Sequence, residues 1–262
     1  MPRITPKRAG LALAATSLLM GLVYLGTPRA PSPVPPSAPT PTAVNPQAMA
    51  RIEAKATQTA RERLAKMPEP VVPQGVGGFS REEITRTSVA FQEMLSVQGL
   101  YNQHLSRQRT IERLLESPRG AEIASRTLTD LAFAREAFGE LQAEARLFSI
   151  AVLKTAAQRG EEAPLLRSST AIAQQLSQTD DGATPMDAGR SADLRDMVRA
   201  VIEVKRVEAF SDGDLQLVRD MGYSPSLSPR VKSMYDEILF SYLKHQYGRE
   251  RATAMTAALL DS

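Results

Sequence analysis

The chain has 262 residues with 32 Lys and Arg against 29 Asp and Glu, a formal charge of +3, and neither cysteine nor tryptophan. Without cysteine, a disulfide framework and a lipid-modified N-terminal cysteine are both excluded. The positive charge does not point to nucleic acid. Residues 1–30 hold four basic and no acidic side chains, leaving 28 basic against 29 acidic in the rest. A near-neutral body exerts no net pull on a polyanion, and 5% aromatic content leaves few stacking platforms for bases.

Residues 9–27 read AGLALAATSLLMGLVYLGT and carry no charge. At about 1.5 Å rise per residue, such a stretch is long enough to cross a hydrocarbon core of about 30 Å. Arg3, Lys7 and Arg8 precede it and only Arg29 follows before Arg51, so the positive-inside tendency predicts an N-in, C-out topology. The expected layout is a cytoplasmic tail (1–8), a single-pass inner-membrane anchor (9–27), a linker (28–46) and a periplasmic domain (47–262). A cleaved signal peptide is the alternative. However, Thr27 and Ala30 are each followed by proline and no A-x-A pattern occurs downstream of Tyr24. Residues 28–46 contain eight prolines in nineteen positions, a composition that favours an extended polyproline spacer.

Beyond the linker, Ala, Leu, Arg, Glu and Gln dominate and period-two apolar runs are scarce, so the fold class expected is all-α. Pro46 after Asn45 predicts a helix start, and its thin apolar stripe (Met49, Ile52, Ala56, Ala60, Leu64, Met67) suits a peripheral or partner-facing helix. Residues 68–79 form a Pro/Gly-rich break and the best internal boundary. Ser80 and Glu83 spell a capping box. The helix it opens should bury Ile84, Phe91, Met94 and Leu95, extending toward Leu100 and Tyr101. Another stretch with Leu105, Ile111, Leu114 and Leu115 runs to Ser117-Pro118, which reads as a fresh helix start. From Pro118 to about Arg159 the spacing of Ile123, Leu128, Leu131, Phe133, Phe138, Leu141, Leu147, Phe148 and Val152 predicts helix ended by Gly160. Pro164 opens a helix through Leu176, and 179–190 reads as a polar loop. Ser191 is the expected cap of a helix carrying Leu194, Met197, Val198, Val201, Ile202 and Phe210. A short helix follows from about Asp214 to Met221, Ser228-Pro229 starts another, and Gly248 separates the last turns. No repeat of fixed period is present, which argues against a solenoid.

Candidate chemistry is sparse. His104 and His245 belong to no i, i+4 pair or H-E-x-x-H arrangement, so neither metal nor cofactor is expected. The SDGD at 211–214 lacks the later glutamate of a calcium loop and suits a helix N-terminus better. Asp180 and Asp181 read as ordinary loop residues. No G-x-S-x-G, phosphate loop or dinucleotide fingerprint occurs. Two function classes remain: a non-enzymatic helical protein that binds another envelope or secreted protein, or an envelope hydrolase acting through paired carboxylates.

Within FQEMLSVQGL, Phe91, Leu95, Ser96 and Gly99 match the R-x-x-F-D-Y-[FC]-L-S-A-x-G-E signature of the lipase-specific foldases. Tail, anchor, linker and helical ectodomain also resemble that family's order of parts, and 135–148 resembles its helical stretches. Ser88, Gln92, Glu93, Val97 and Leu100 depart from the motif. The resemblance implies a membrane-anchored steric chaperone with Phe91, Leu95, Ser96 and Gly99 at the partner-binding site, and its departures bear on the activating step more than on the fold. A C-terminal alkaline phosphatase fusion is expected to be active outside the cytoplasm. Activity of a cytoplasmic reporter at the same position would contradict the topology.

Overall fold

The structure is a computed structural model that describes residues 46–67, 75–97, 100–117, 119–206 and 215–260. The expected anchor, the linker up to residue 45, Gly99 and the SDGD segment lie outside the described residues. Among those described, no helix is long and apolar enough to cross a membrane. The described part of the unit Asn45–Ser262 is almost entirely helical, which establishes the all-α class.

Helix α1 (Pro46–Leu64) has proline at its first position, where a missing N–H costs nothing. Among its described side chains none is fully buried, and Ile52 on its stripe is 53% exposed. Within the expected break, residues 75–80 form a hairpin, with β1 (Gly75–Val76) pairing antiparallel to β2 (Phe79–Ser80). Gly77 and Gly78, at φ 59° and 83°, supply the two positive-φ positions that a tight two-residue turn needs. Val76 and Phe79 thereby drop into the same core as the helices.

Helix α2 (Arg81–Ser96) opens with the predicted reciprocal cap: Glu83 N–H donates to Ser80 Oγ at 3.3 Å and Ser80 N–H to Glu83 Oε2 at 2.7 Å. Ile84, Phe91 and Met94 are buried as expected, but Leu95 is 39% exposed. Its neighbours Met94, Ser96 and Val97 are buried, so Leu95 lies on the outward face of the last turn. Helix α3 (Leu100–Leu115) buries Ile111 and Leu114 and leaves Leu105 and Leu115 half-buried.

The next helix does not start at Ser117-Pro118. Helix α4 (Gly120–Thr129) begins after Arg119, which makes no side-chain cap. The shift follows from a close crossing, because a Cβ on Gly120 would lie 2.2 Å from the Leu114 carbonyl oxygen. Nor is 118–159 one helix. Asp130 breaks it by adopting an extended conformation and accepting the Phe133 N–H at 3.0 Å, capping α5 (Leu131–Phe138). A 3₁₀ turn (Gly139–Leu141) then leads into α6 (Gln142–Gln158). Leu147 on α6 points away from the core and is 53% exposed.

Helix α7 (Ala163–Thr179) carries proline in its first turn, as read from Pro164. The cap of α8 (Ala188–Lys205) is Asp187, whose Oδ1 accepts the Arg190 N–H at 2.9 Å; Ser191 is buried inside the helix instead. Helices α9 (Leu215–Asp220), α10 (Pro229–Tyr247) and α11 (Arg249–Leu260) complete the chain, with Ser228 capping α10 and Gly248 ending it as expected. Helix α6 is central: α2, α3, α4, α5, α7 and α8 all pack on it, while α10 pairs with α11 beyond α8.

Because the α8 cap is Asp187, Asp187→Ala should cost about 1 kcal/mol in urea denaturation, whereas Ser191→Ala should stay within about 0.5 kcal/mol. The reverse ranking would return the cap to Ser191.

Candidate functional site

Helices α1 and α3 both lean on α2, and between them an open trough of about 590 Å³ is left. Ala56, Ala60 and Leu64 form its α1 wall, Leu105, Arg109 and Thr110 its α3 wall, and Ser96 and Val97 its base. Three polar ties fix this shape. Arg63 Nη1 donates to the Ser96 carbonyl at 3.4 Å, joining α1 to the end of α2. Arg107 Nε donates to the Met94 carbonyl at 3.2 Å, with its guanidinium 5.3 Å from the Phe148 ring centroid, joining α3 to α2 and α6. Arg113 pairs with Glu93 and also donates to Thr110 Oγ1 at 3.1 Å, so α2 and α3 are bridged along one edge. Beyond that bridge lies a second cavity of about 550 Å³ over Val89, Ala90 and Leu114.

The residues singled out by the foldase-like motif fall at different depths. Phe91 is 2% exposed, with the Phe138 and Phe148 rings at 5.4 and 5.8 Å, so it supports α2 from below. Ser96 lines the trough and donates its hydroxyl to the Glu93 carbonyl at 2.7 Å. Leu95 opens to solvent, and Gly99 lies outside the described residues. The trough's charged members, Arg61, Arg109 and Arg113 among them, were not singled out from sequence. Ala56, Ala60 and Leu64, spaced at four residues, were visible as the thin stripe of α1.

A second polar centre lies between α4, α6, α7 and α8. Arg190 is only 5% exposed and donates Nη1 to the Leu128 carbonyl at 2.6 Å and to Asp193 Oδ2 at 3.2 Å, and Nη2 to Gln175 Oε1. Arg146 Nε donates to the same Asp193 oxygen at 2.9 Å. Burial pushes the Asp193 carboxyl up and the Arg190 guanidinium down, against the opposing pull of each on the other.

Over Arg190 sits a cavity of about 620 Å³ roofed by the 180–187 loop. Asp180 and Asp181 do more than occupy that loop. Asp180, its side chain 2% exposed, accepts from Arg230 Nε at 2.7 Å and from Ser228 Oγ at 2.6 Å, while Arg230 Nη1 donates to the Thr184 carbonyl at 2.6 Å. Asp181 Oδ1 accepts the Ala183 and Thr184 N–H groups at 2.9 and 2.8 Å. Arg230 beside Asp180 holds its carboxyl well below the usual carboxylate range, helped by Ser228.

Glycoside cleavage by paired carboxylates uses one carboxyl held protonated near one kept ionised. Of the carboxyls that line this cavity, Asp130 is held low by the Phe133 N–H and Asp180 by Arg230; Asp193, the carboxyl pushed up, lies outside the lining and gives its Oδ2 to two guanidinium groups. His104 and His245 are both exposed, and among the described residues no group of three or more His, Asp or Glu could hold a metal ion.

Comparison of the chain with protein-family models, with curated proteins and with solved structures found no match.

Asp180 carries a signed pH prediction. A carboxyl held below its ordinary value contributes stability that is complete above about pH 4 and is lost as the pH falls toward its lowered pKa. Asp180→Asn should therefore lower Tm at pH 7 and flatten the decline of Tm below about pH 4. An acid limb identical to that of the unsubstituted protein would remove Asp180 from this role.

Proposed function

We propose that the chain is a tethered, non-enzymatic binding protein of the bacterial envelope, held in the inner membrane by residues 9–27. In this reading its trough takes an amphipathic helix of another envelope or secreted protein. The observation that carries the proposal is the trough itself. Its α3 wall, from Leu105 to the end of the helix at Leu115, spans about 15 Å at about 1.5 Å per residue, room for nearly three turns of a partner helix. Its α1 wall is built from Ala56 and Ala60, side chains small enough for a second helix to approach closely. Val97, Leu64 and Leu105 offer apolar surface for anchors at i, i+4 and i+7.

The most specific version is a steric chaperone resembling the lipase-specific foldases, supported by the motif residues Leu95 and Ser96 at this end of α2. A steric chaperone needs no catalytic group. It needs a rigid surface that stabilises one conformation of its client, and a helix clamped on its neighbours by Arg63, Arg107 and Arg113 supplies one.

A photo-crosslinking side chain at Ala60 of the full-length protein in its native membrane tests the reading. The expected result is one discrete heterologous adduct that disappears when Leu105 is changed to Arg. No adduct, an adduct with a second copy of the chain, or one indifferent to Leu105→Arg would overturn it.

A further inference from the structure

We infer that the helix taken up by the trough is acidic along its flanks, selected by two arginines that face it from opposite walls; this rests on the trough reading above. Six charged side chains in the lining decide the matter. From α2 comes Glu93, and it is consumed by Arg113 and Thr110. On α3, Glu112 is engaged by Arg159 at 3.8 Å and by Gln108 at 3.3 Å. That leaves Arg61 on α1 and Arg109 on α3, both exposed and neither with an ion-pair or hydrogen-bond partner among the described residues. Glu116, just past the end of α3, is the single acid of the lining whose side chain has no partner among the described residues. The unmatched charge offered to an occupant is therefore positive, with one arginine on each wall.

Arginine suits that task because its planar fork takes a carboxylate bidentately while its stem covers apolar surface. A helix lying in the trough with its apolar face down would present its flanking side chains to both walls at once, so carboxylates on both flanks satisfy Arg61 and Arg109 together. Exposed pairs of this kind are individually weak, so the arginines supply selection and association rate while Leu64, Val97 and Leu105 supply affinity. A second copy of α1 is the wrong occupant. It carries Arg51, Lys55, Arg61 and Arg63 against Glu53 and Glu62, and like charges would face each other.

The test uses the full-length protein in detergent micelles and two synthetic amphipathic helices of identical apolar face, one flanked by Glu and the other by Lys. By fluorescence anisotropy at low salt, the Glu peptide should bind at least about tenfold more tightly, and the gap should shrink as salt is raised. Arg61→Glu with Arg109→Glu should invert the preference with only a small fall in Tm, since both side chains are exposed and unpaired among the described residues. Equal binding of the two peptides, or a preference unchanged by the double substitution, overturns the acidic-helix inference while leaving the trough as a docking site. Binding of neither peptide counts against both. A preference abolished equally by Arg81→Glu with Arg86→Glu, outside the trough, would reduce the effect to general surface charge and overturn the inference.

Discussion

The arrangement of this protein's surface depends on how α2 is held. Phe91 enters the core between the rings of Phe138 and Phe148, two side chains on either side of the 3₁₀ turn that leads into α6. Phe133 extends the cluster toward Phe79 of the hairpin, with centroids 5.5 Å apart. Burying rings of this size is worth several kcal/mol in total, and their edge-on and tilted geometry fixes orientation as well as depth. A helix fixed so firmly on one side can carry other helices on its exposed flank. Helices α1 and α3 use that flank, and the trough is the space that neither fills. Arg107 couples the two levels, because it stacks on Phe148 from above while bonding the Met94 carbonyl.

The opposite half is organised by charge. Arg146, Asp193 and Arg190 lie between four helices, and Arg190 reaches the Leu128 carbonyl of α4 and Gln175 of α7 from its position in α8. Surface ion pairs such as Arg86–Glu82 or Arg199–Asp196 contribute at most about 1 kcal/mol. A buried pair gains little net energy when complete, yet loses about 3–5 kcal/mol when one partner is removed. Such a network therefore specifies register: a helix shifted by one turn would leave charges stranded. The Asp180–Arg230 clasp extends the same logic outward, tying the 180–187 loop to α10.

Much of this was legible in the sequence, where the signal is a local rule. The Ser80–Glu83 box, the Pro46 and Pro164 starts, the Ser228 cap and the Gly160 and Gly248 stops all depend on residues within four positions of one another. Longer-range facts were not. The stretch 118–159 has an unbroken helical period, and the interruption comes from Asp130, a good cap whose signal is masked because apolar residues continue on both sides. Asp187 outcompeted Ser191 as a cap since its carboxylate stands at the loop edge, whereas Ser191 is drawn into the core with its helix. Gly120 displaced the expected start at Ser117 because only the meeting of α3 and α4 reveals how close their backbones come. Of the motif residues, Phe91 and Ser96 could be placed on α2 from sequence, but not that one sits beneath the helix and the other beside a trough. The trough's arginines come from helices separated by some forty residues, a juxtaposition no spacing rule encodes.

The claim on which the functional reading stands is that the ring cluster around Phe91 holds the trough walls in place. Amide hydrogen exchange on the full-length protein carrying Phe148→Leu measures this directly. The account predicts a selective loss of protection in α2 and α3, with α10 and α11 unchanged. Unaltered exchange in α2 and α3, or an equal loss across every helix, would contradict it.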